Sequence, residues 1–182
     1  AMKKITGGLV ITSVAGPGQL GYKQTFVGDH LIDRAVALGF RDLGRDYIKY
    51  PFDIAGSDER HFSSPYFRIP VGTICKDKYY EYAYYLTSLD DLKFIKAKYL
   101  VETLQMYLAA IENLEMNVTY QSLSPYSEPQ LGRRGLYLSL GGWQKTGGRT
   151  SAEKKIVSDL DAFRWLMFLC DGQTPLLAIA ER

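Results

Sequence analysis

Residues 8 to 14 read Gly-Leu-Val-Ile-Thr-Ser-Val, a short and nearly continuous β-branched run closed by Ala15-Gly16-Pro17-Gly18. A run without polar alternation reads as a strand buried on both faces and then a tight loop, which places it at the centre of an α/β sheet. The rest of the chain agrees with that class. Tyr22 to Val27, Tyr47 to Tyr50 and Ile69 to Cys75 read as further short strands, the last with Pro70 at its start, where a missing N–H is tolerable. From Asp29, Leu31, Ile32, Ala35, Val36 and Leu38 recur at helical spacing up to Gly39, with Asp29 as N-cap and Asp33 in the first turn. Lys96 to Met116 is the clearest helix. Leu100, Leu104, Tyr107, Leu108, Ile111 and Leu114 form its apolar stripe, and Lys98, Glu102 and Glu112 are available to solvent. Ser151 to Cys170 is a second amphipathic stretch, stopped by Asp171-Gly172, and Thr174 caps a third helix with Pro175 at its first position.

Charge and cysteine content narrow the function classes. The chain has 182 residues, with 22 Lys+Arg against 20 Asp+Glu, a formal net charge of +2. That matched mixture lacks the clustered excess of cations that neutralises phosphates, so neither nucleic acid nor an anionic membrane surface is an expected partner. Cys75 and Cys170 lie far apart in apolar stretches, which argues against a disulfide framework or a thiolate metal site and for a reducing cytoplasm. No apolar run is long enough to span a bilayer. Three segments are expected: an α/β domain over 1–122, a loop-rich linker or arm over 123–150, and a helical segment over 151–182.

The densest cluster of chemically able side chains is Asp58-Glu59-Arg60-His61. Adjacent opposite charges most often cap a helix and pair with each other, and that reading outweighs a remnant catalytic or substrate-contact loop. His30 has no second His or Cys at ligand spacing and reads as a satisfied surface histidine. Five tyrosines between Lys78 and Tyr85 could stack on rings, but a Tyr-rich strand at an exposed edge is the commoner case. Gly16-Pro17-Gly18 follows a strand, yet Pro17 removes an N–H that a phosphate cradle would use. Neither a nucleophile elbow nor a Cys/His arrangement is present in the sequence.

Four stretches, in order, carry a resemblance. They are Asp58-Glu59-Arg60-His61-Phe62-Ser63-Ser64-Pro65, Ile69-Pro70-Val71-Gly72, Tyr85-Leu86-Thr87-Ser88, and Pro125 to Tyr137. The series is similar to bacterial aminopeptidase-like proteins found among surface-polysaccharide genes, with the fold of the co-catalytic zinc aminopeptidases. Asp171-Gly172 and Leu176 to Arg182 resemble the start of the winged helix that these relatives carry at the C-terminus. The resemblance implies a partial zinc-aminopeptidase-like α/β core, a small mixed sheet flanked by helices, with an extended C-terminal helical arm.

The family holds two zinc ions on His, Asp and acidic residues, and the donors it needs are missing from matching positions. The segment bearing the first ligands has no counterpart before Met2, Gly16 stands where relatives carry an Asp after the first strand, and Leu86 stands where the late His belongs. Leucine has no donor atom for zinc. The expectation is therefore a truncated, metal-free, catalytically inactive fragment with no cofactor, acting as a binding or assembly module. Its remnant pocket would comprise Asp58, Glu59, Arg60, His61, Tyr85, Leu86 and Thr87, with Leu86 buried in the vacated space. The alternatives are a zinc aminopeptidase completed by another chain and, last, a DNA-binding regulator. A sheet lacking its first half exposes an edge, so a homo-oligomer is expected, a dimer in which the arm from Leu123 to Arg182 packs on a partner, with another protein chain or a peptide as a further partner.

Overall fold

The computed structural model describes residues 2–124, 126–127, 130–134 and 151–182, and the chain divides into two compact units, Ala1–Glu115 and Met116–Arg182. The predicted arm at 123–150, with its motif from Pro125 to Tyr137, lies for the most part outside the described residues.

Unit 1 is an α/β sheet with helices, as the strand and helix patterns imply. Among the described residues its strands are β1 (Gly8–Ile11), β2 (Gly21–Lys23), β3 (Ile48–Tyr50) and β4 (Val71–Cys75), in the spatial order β1-β4-β2-β3. The sheet is mixed. β1 and β4 run parallel with Gly8 opposite Val71, β2 and β3 run parallel with Gly21 opposite Ile48, and β4 meets β2 antiparallel with Tyr22 opposite Ile74. β4 is buried along its whole length, whereas β1 occupies an edge and Ile11 is 70% exposed. The central position expected for residues 8 to 14 therefore belongs to 71 to 75. A β-branched run states that a strand is apolar, and only the pairing partners determine whether it is central.

Helices α1 (Leu31–Asp42) and α3 (Ala97–Glu115) pack on each other and on one face of the sheet. Leu20, Tyr22, Ile32, Val36, Phe40, Ile74, Met106, Tyr107 and Ala110 form the core between them. A Cβ at Gly39 of α1 would lie 3.3 Å from Ala109 Cβ and 3.4 Å from Ala110 N, so glycine sets the close approach of the two helices. The Tyr107 hydroxyl lies 2.5 Å from the Val10 carbonyl and 2.7 Å from that of Ile74, directing its proton at the β1–β4 pair. Burial pushes the Tyr107 pKa well above the usual phenol value.

The N-terminus of α1 is capped by His30, one residue later than expected: its Nδ1 accepts from the Ile32 amide at 3.3 Å, and Asp33 accepts from the His30 amide at 2.8 Å. Asp33 is buried and also accepts from the Tyr22 hydroxyl (2.8 Å), the Thr25 amide (2.8 Å) and the Thr25 hydroxyl (2.6 Å). Four donors on one carboxylate join β2, the turn after it and α1. Hydrogen bonds to a charged group contribute about 1.5 to 3 kcal/mol each.

In unit 2, β5 (Thr119–Gln121) pairs antiparallel with β6 (Asp171–Pro175), so residues 116 to 122, assigned to the first domain on sequence, join the second. Around this hairpin-like pair are α4 (Ser151–Leu169) and α5 (Leu176–Ala180). Pro175 occupies the N-cap of α5, and the Leu177 amide donates to the Asn117 side chain at 2.8 Å. Asp171 holds the turn by accepting from the Gln173 and Thr174 amides and the Thr174 hydroxyl, with Gly172 at φ 77°. Among the described residues, no helix is long and apolar enough to cross a membrane.

Candidate functional site

Among the described residues, the sheet face opposite α1 and α3 carries a concentrated cluster of buried charged and polar side chains. Side chains alternate along β2, so Tyr22 enters the helix-side core and Lys23 stands on the other face. Lys23 is fully buried, as is Glu59 of the five-residue helix α2 (Asp58–Phe62). The Lys23 ammonium uses three acceptors: Glu59 Oε1 at 2.9 Å, Asp53 Oδ1 at 3.0 Å and the Ala55 carbonyl at 3.3 Å. Its Nζ also lies 5.5 Å from the Phe52 ring centroid and 5.3 Å from that of Tyr79. Glu59 Oε1 accepts in addition from the Tyr79 hydroxyl and the Ser57 amide, whereas Oε2 is buried without a hydrogen-bond partner among the described residues. Lys78 donates to Asp53 Oδ2 (3.3 Å) and to Glu81 (2.6 Å) at the margin.

Electrostatics follow from this wiring. Burial alone would raise the Glu59 pKa, but donors from Tyr79 and Lys23 outweigh it and hold the carboxyl below its usual range. Asp53 is lowered likewise, against burial, by Lys23 and Lys78. Burial and the bond to Glu59 push the Tyr79 phenol far upward, so it remains a neutral donor. Burial pushes the Cys75 thiol up to about 12, leaving no thiolate for nucleophilic work. Within this cluster Lys23, Glu59 and Tyr79 are buried and engaged with one another, and the part-exposed carboxylate of Asp53 is held by Lys23 and Lys78.

The residues singled out on sequence are distributed unevenly. The cluster Asp58-Glu59-Arg60-His61 is helical, but its charges do not pair as expected: Glu59 turns inward to Lys23 of β2, and Asp58, Arg60 and His61 are exposed. Tyr85 is half-buried, with edge-to-face ring contacts to Tyr80 and Tyr82 at 4.8 and 5.5 Å, and Tyr80 in turn meets Tyr79 at 5.9 Å. Burial, Tyr80 and, more weakly, the charge of Glu59 raise its pKa. Rings thus link α2 to the segment holding Leu86. The tyrosine run forms successive turns rather than a strand, because its rings pack on one another and on Phe94 instead of alternating across a sheet. Thr87 is exposed, and its hydroxyl donates to the Tyr84 carbonyl at 2.8 Å. Leu86 was expected to fill a depression; it is 80% exposed at φ 56°. A left-handed backbone at the turn points this side chain into solvent, so burial there contributes no stabilisation. Sequence reasoning missed Lys23, Asp53 and Tyr79. The available signal was a lysine inside the short strand Gly21-Tyr22-Lys23, where a charge requires a partner if its face is covered.

The loop after β1 is occupied by the chain itself. Asp77, just beyond β4, accepts from the Gly18 amide at 3.1 Å, and a Cβ at Gly16 would lie 2.8 Å from Asp77 Oδ2 and 3.2 Å from the Phe94 ring. Burial raises the Asp77 pKa despite the Gly18 bond. The space where a carboxylate at position 16 would extend is therefore already filled by another one. A Cβ at Gly18 would fall on the Asp77 carboxyl group itself. Gly18→Ala will lower stability by about 1 to 2 kcal/mol in chemical denaturation, and most of that loss will vanish in an Asp77→Ala background. An undiminished loss in the double variant would show that the Asp77 contact is not its source.

Among the described residues, no three His, Cys, Asp or Glu side chains converge as metal donors would. Glycine at 16 and leucine at 86 supply no donor, and the Asp58 carboxylate and His61 imidazole face solvent on a helix. This donor set does not fit the pair of zinc ions that the aminopeptidase fold implies.

A family model described as a domain of unknown function, DUF4910, matches residues 1–117, and a winged helix-turn-helix model matches residues 118–182. A polysaccharide biosynthesis protein from Clostridium acetobutylicum, named for its aminopeptidase-like domain, is 37% identical over 181 residues, covering 100% of this chain and 39% of that protein. A crystal structure of a candidate peptidase from the same organism has a TM-score of 0.80 at 34% identity, covering 99% of this chain and 37% of that one. The chain spans less than half the length of the relatives it matches.

Proposed function

The chain belongs to the DUF4910 family, and from that premise we propose that it is an aminopeptidase-like module without a metal site of its own, inactive as a hydrolase by itself, that serves binding or assembly. The observation that carries this reading is the state of the two positions where the resemblance places metal donors. Leu86 has no lone pair to offer, and the place of a carboxylate at Gly16 is taken by Asp77. The inward-facing charged groups near α2 support it as well, since Lys23, Glu59 and Tyr79 are engaged with one another. Hydrolysis of a peptide bond needs an activated water, and the Glu59 carboxylate, fully buried against Lys23 and Tyr79, presents no exposed oxygen to one.

The test is hydrolysis of aminoacyl p-nitroanilides by the purified chain with added zinc. The expected rate is indistinguishable from buffer, and it stays so in Leu86→His, a substitution that changes stability by no more than about 0.5 kcal/mol because the position is exposed. Zinc-dependent turnover by either protein would overturn the proposal. A second reading, a zinc aminopeptidase completed by another chain, draws on the unpaired outer edge of β1 among the described residues. It predicts activity only when that other chain is added. A DNA-binding role through the winged helix-turn-helix ranks third, because a net charge of +2 is a weak source of phosphate affinity.

A further inference from the structure

Helix α3 has two working faces. Met106, Tyr107 and Ala110 enter the core, and Thr103 donates from the same side to the Val14 carbonyl at 2.8 Å. Away from it, Val101, Leu104, Leu108 and Ile111 follow one another at spacings of three, four and three, each between 47% and 52% exposed. Apolar residues at that spacing are the a and d positions of a helix–helix seam, and a row of them left in water marks a surface that another helix covers. The periodicity that made 96 to 116 legible as a helix thus splits into a buried face and this unpartnered one.

The charges along α3 identify the partner. Its first turn contains Lys98 and no acid, and its last turn contains Glu112 and Glu115 and no base. This is the reverse of what the helix macrodipole favours, so each end gains from an opposite charge brought from outside. A second α3 running antiparallel supplies both at once. With Leu104 opposite Leu108 of the other copy and Val101 opposite its Ile111, Lys98 of each helix comes beside Glu112 of the other. A parallel copy would instead set lysine ends beside lysine ends. We propose that this face docks a second copy of the chain, α3 against α3, antiparallel about a two-fold axis. The proposal is independent of the metal reading, because it uses no residue of that site.

Sedimentation of the full chain at micromolar concentration and low salt tests it. The wild type is expected to be a dimer, and Lys98→Glu and Glu112→Lys are each expected to weaken it at least about tenfold, since each homodimer then carries two like-charge contacts. An equimolar mixture of the two variants, or both substitutions in one chain, restores the wild-type affinity. These exposed substitutions leave the circular dichroism unchanged, so loss of folding cannot imitate the result. A monomeric wild type would overturn the proposal. So would a dimer indifferent to both reversals, which would place another segment on this face, or a mixture that fails to restore association.

Discussion

Lys23→Met will lower the stability of the chain by about 3 to 5 kcal/mol, the cost of leaving one member of a buried ion pair without the other. Glu59 and Lys23 are both fully buried and 36 residues apart in sequence, so nothing but the fold brings them together. With methionine at 23, the Glu59 carboxylate keeps the Tyr79 hydroxyl and the Ser57 amide but loses its cation, and its second oxygen already lacks a partner among the described residues. Glu59→Met is expected to cost a similar amount, because it leaves an ammonium under the sheet with only the half-exposed Asp53 and a carbonyl. Lys23→Met/Glu59→Met should recover most of the loss, since two apolar side chains of similar volume need neither desolvation nor pairing. Losses that simply add in the double variant would show that the pair is not coupled.

The same pair sets the acid response. Glu59 and Asp53 are held below their ordinary carboxyl values in the folded chain. A carboxylate with a depressed folded pKa contributes stability that is fully present above its unfolded pKa and is lost as pH falls through the folded one. Stability should therefore be level above about pH 5 and decline below about pH 4. In Lys23→Met/Glu59→Met that decline is shallower, as denaturant titrations at a series of pH values will show. An equally steep decline in the double variant would assign the acid sensitivity to other carboxylates.

Gly72→Ala will cost about 3 kcal/mol, at the upper end of overpacking penalties. Gly72 lies in the fully buried central strand β4, and a Cβ there would meet the Tyr22 hydroxyl and come within 2.8 Å of Tyr22 Cε2 and 2.9 Å of Cζ. The ring cannot retreat, because its hydroxyl is bonded to Asp33 and its body is part of the core. Tyr22→Phe should fail to relieve the clash, since the two ring carbons remain in place, whereas Tyr22→Val should relieve much of it. Equal penalties in the wild-type and Tyr22→Val backgrounds would place the cause in the backbone of β4 instead.

Local pattern made the helices at 31–42 and 97–115 and the strand at 71–75 legible, because apolar periodicity and β-branched content act over neighbouring residues. Three features were beyond its reach for separate reasons. The edge position of β1 depends on which strands lie beside it. The stripe on α3 identified a helix without showing that Tyr107 turns inward while Leu104 and Leu108 remain in water, since both sides of the helix carry apolar residues. The Lys23–Glu59–Tyr79 cluster is assembled across the sheet from three separate segments, and a charge in a three-residue strand was its sole trace. At the candidate site, the resemblance directed attention to α2 and to Leu86, but the left-handed turn that exposes Leu86 is a property of backbone geometry that a leucine does not announce.

Zinc analysis by mass spectrometry tests the central claim most directly. The purified chain is saturated with zinc, dialysed exhaustively against metal-free buffer, and measured beside Leu86→His. Without a donor at Gly16 or Leu86, and with Asp58 and His61 facing solvent, both proteins should retain less than about 0.1 zinc per chain, one restored ligand being insufficient for a tight site. Retention of about two zinc ions per chain by the wild type would contradict the account, because it would mean that this chain assembles a dinuclear centre from its own residues.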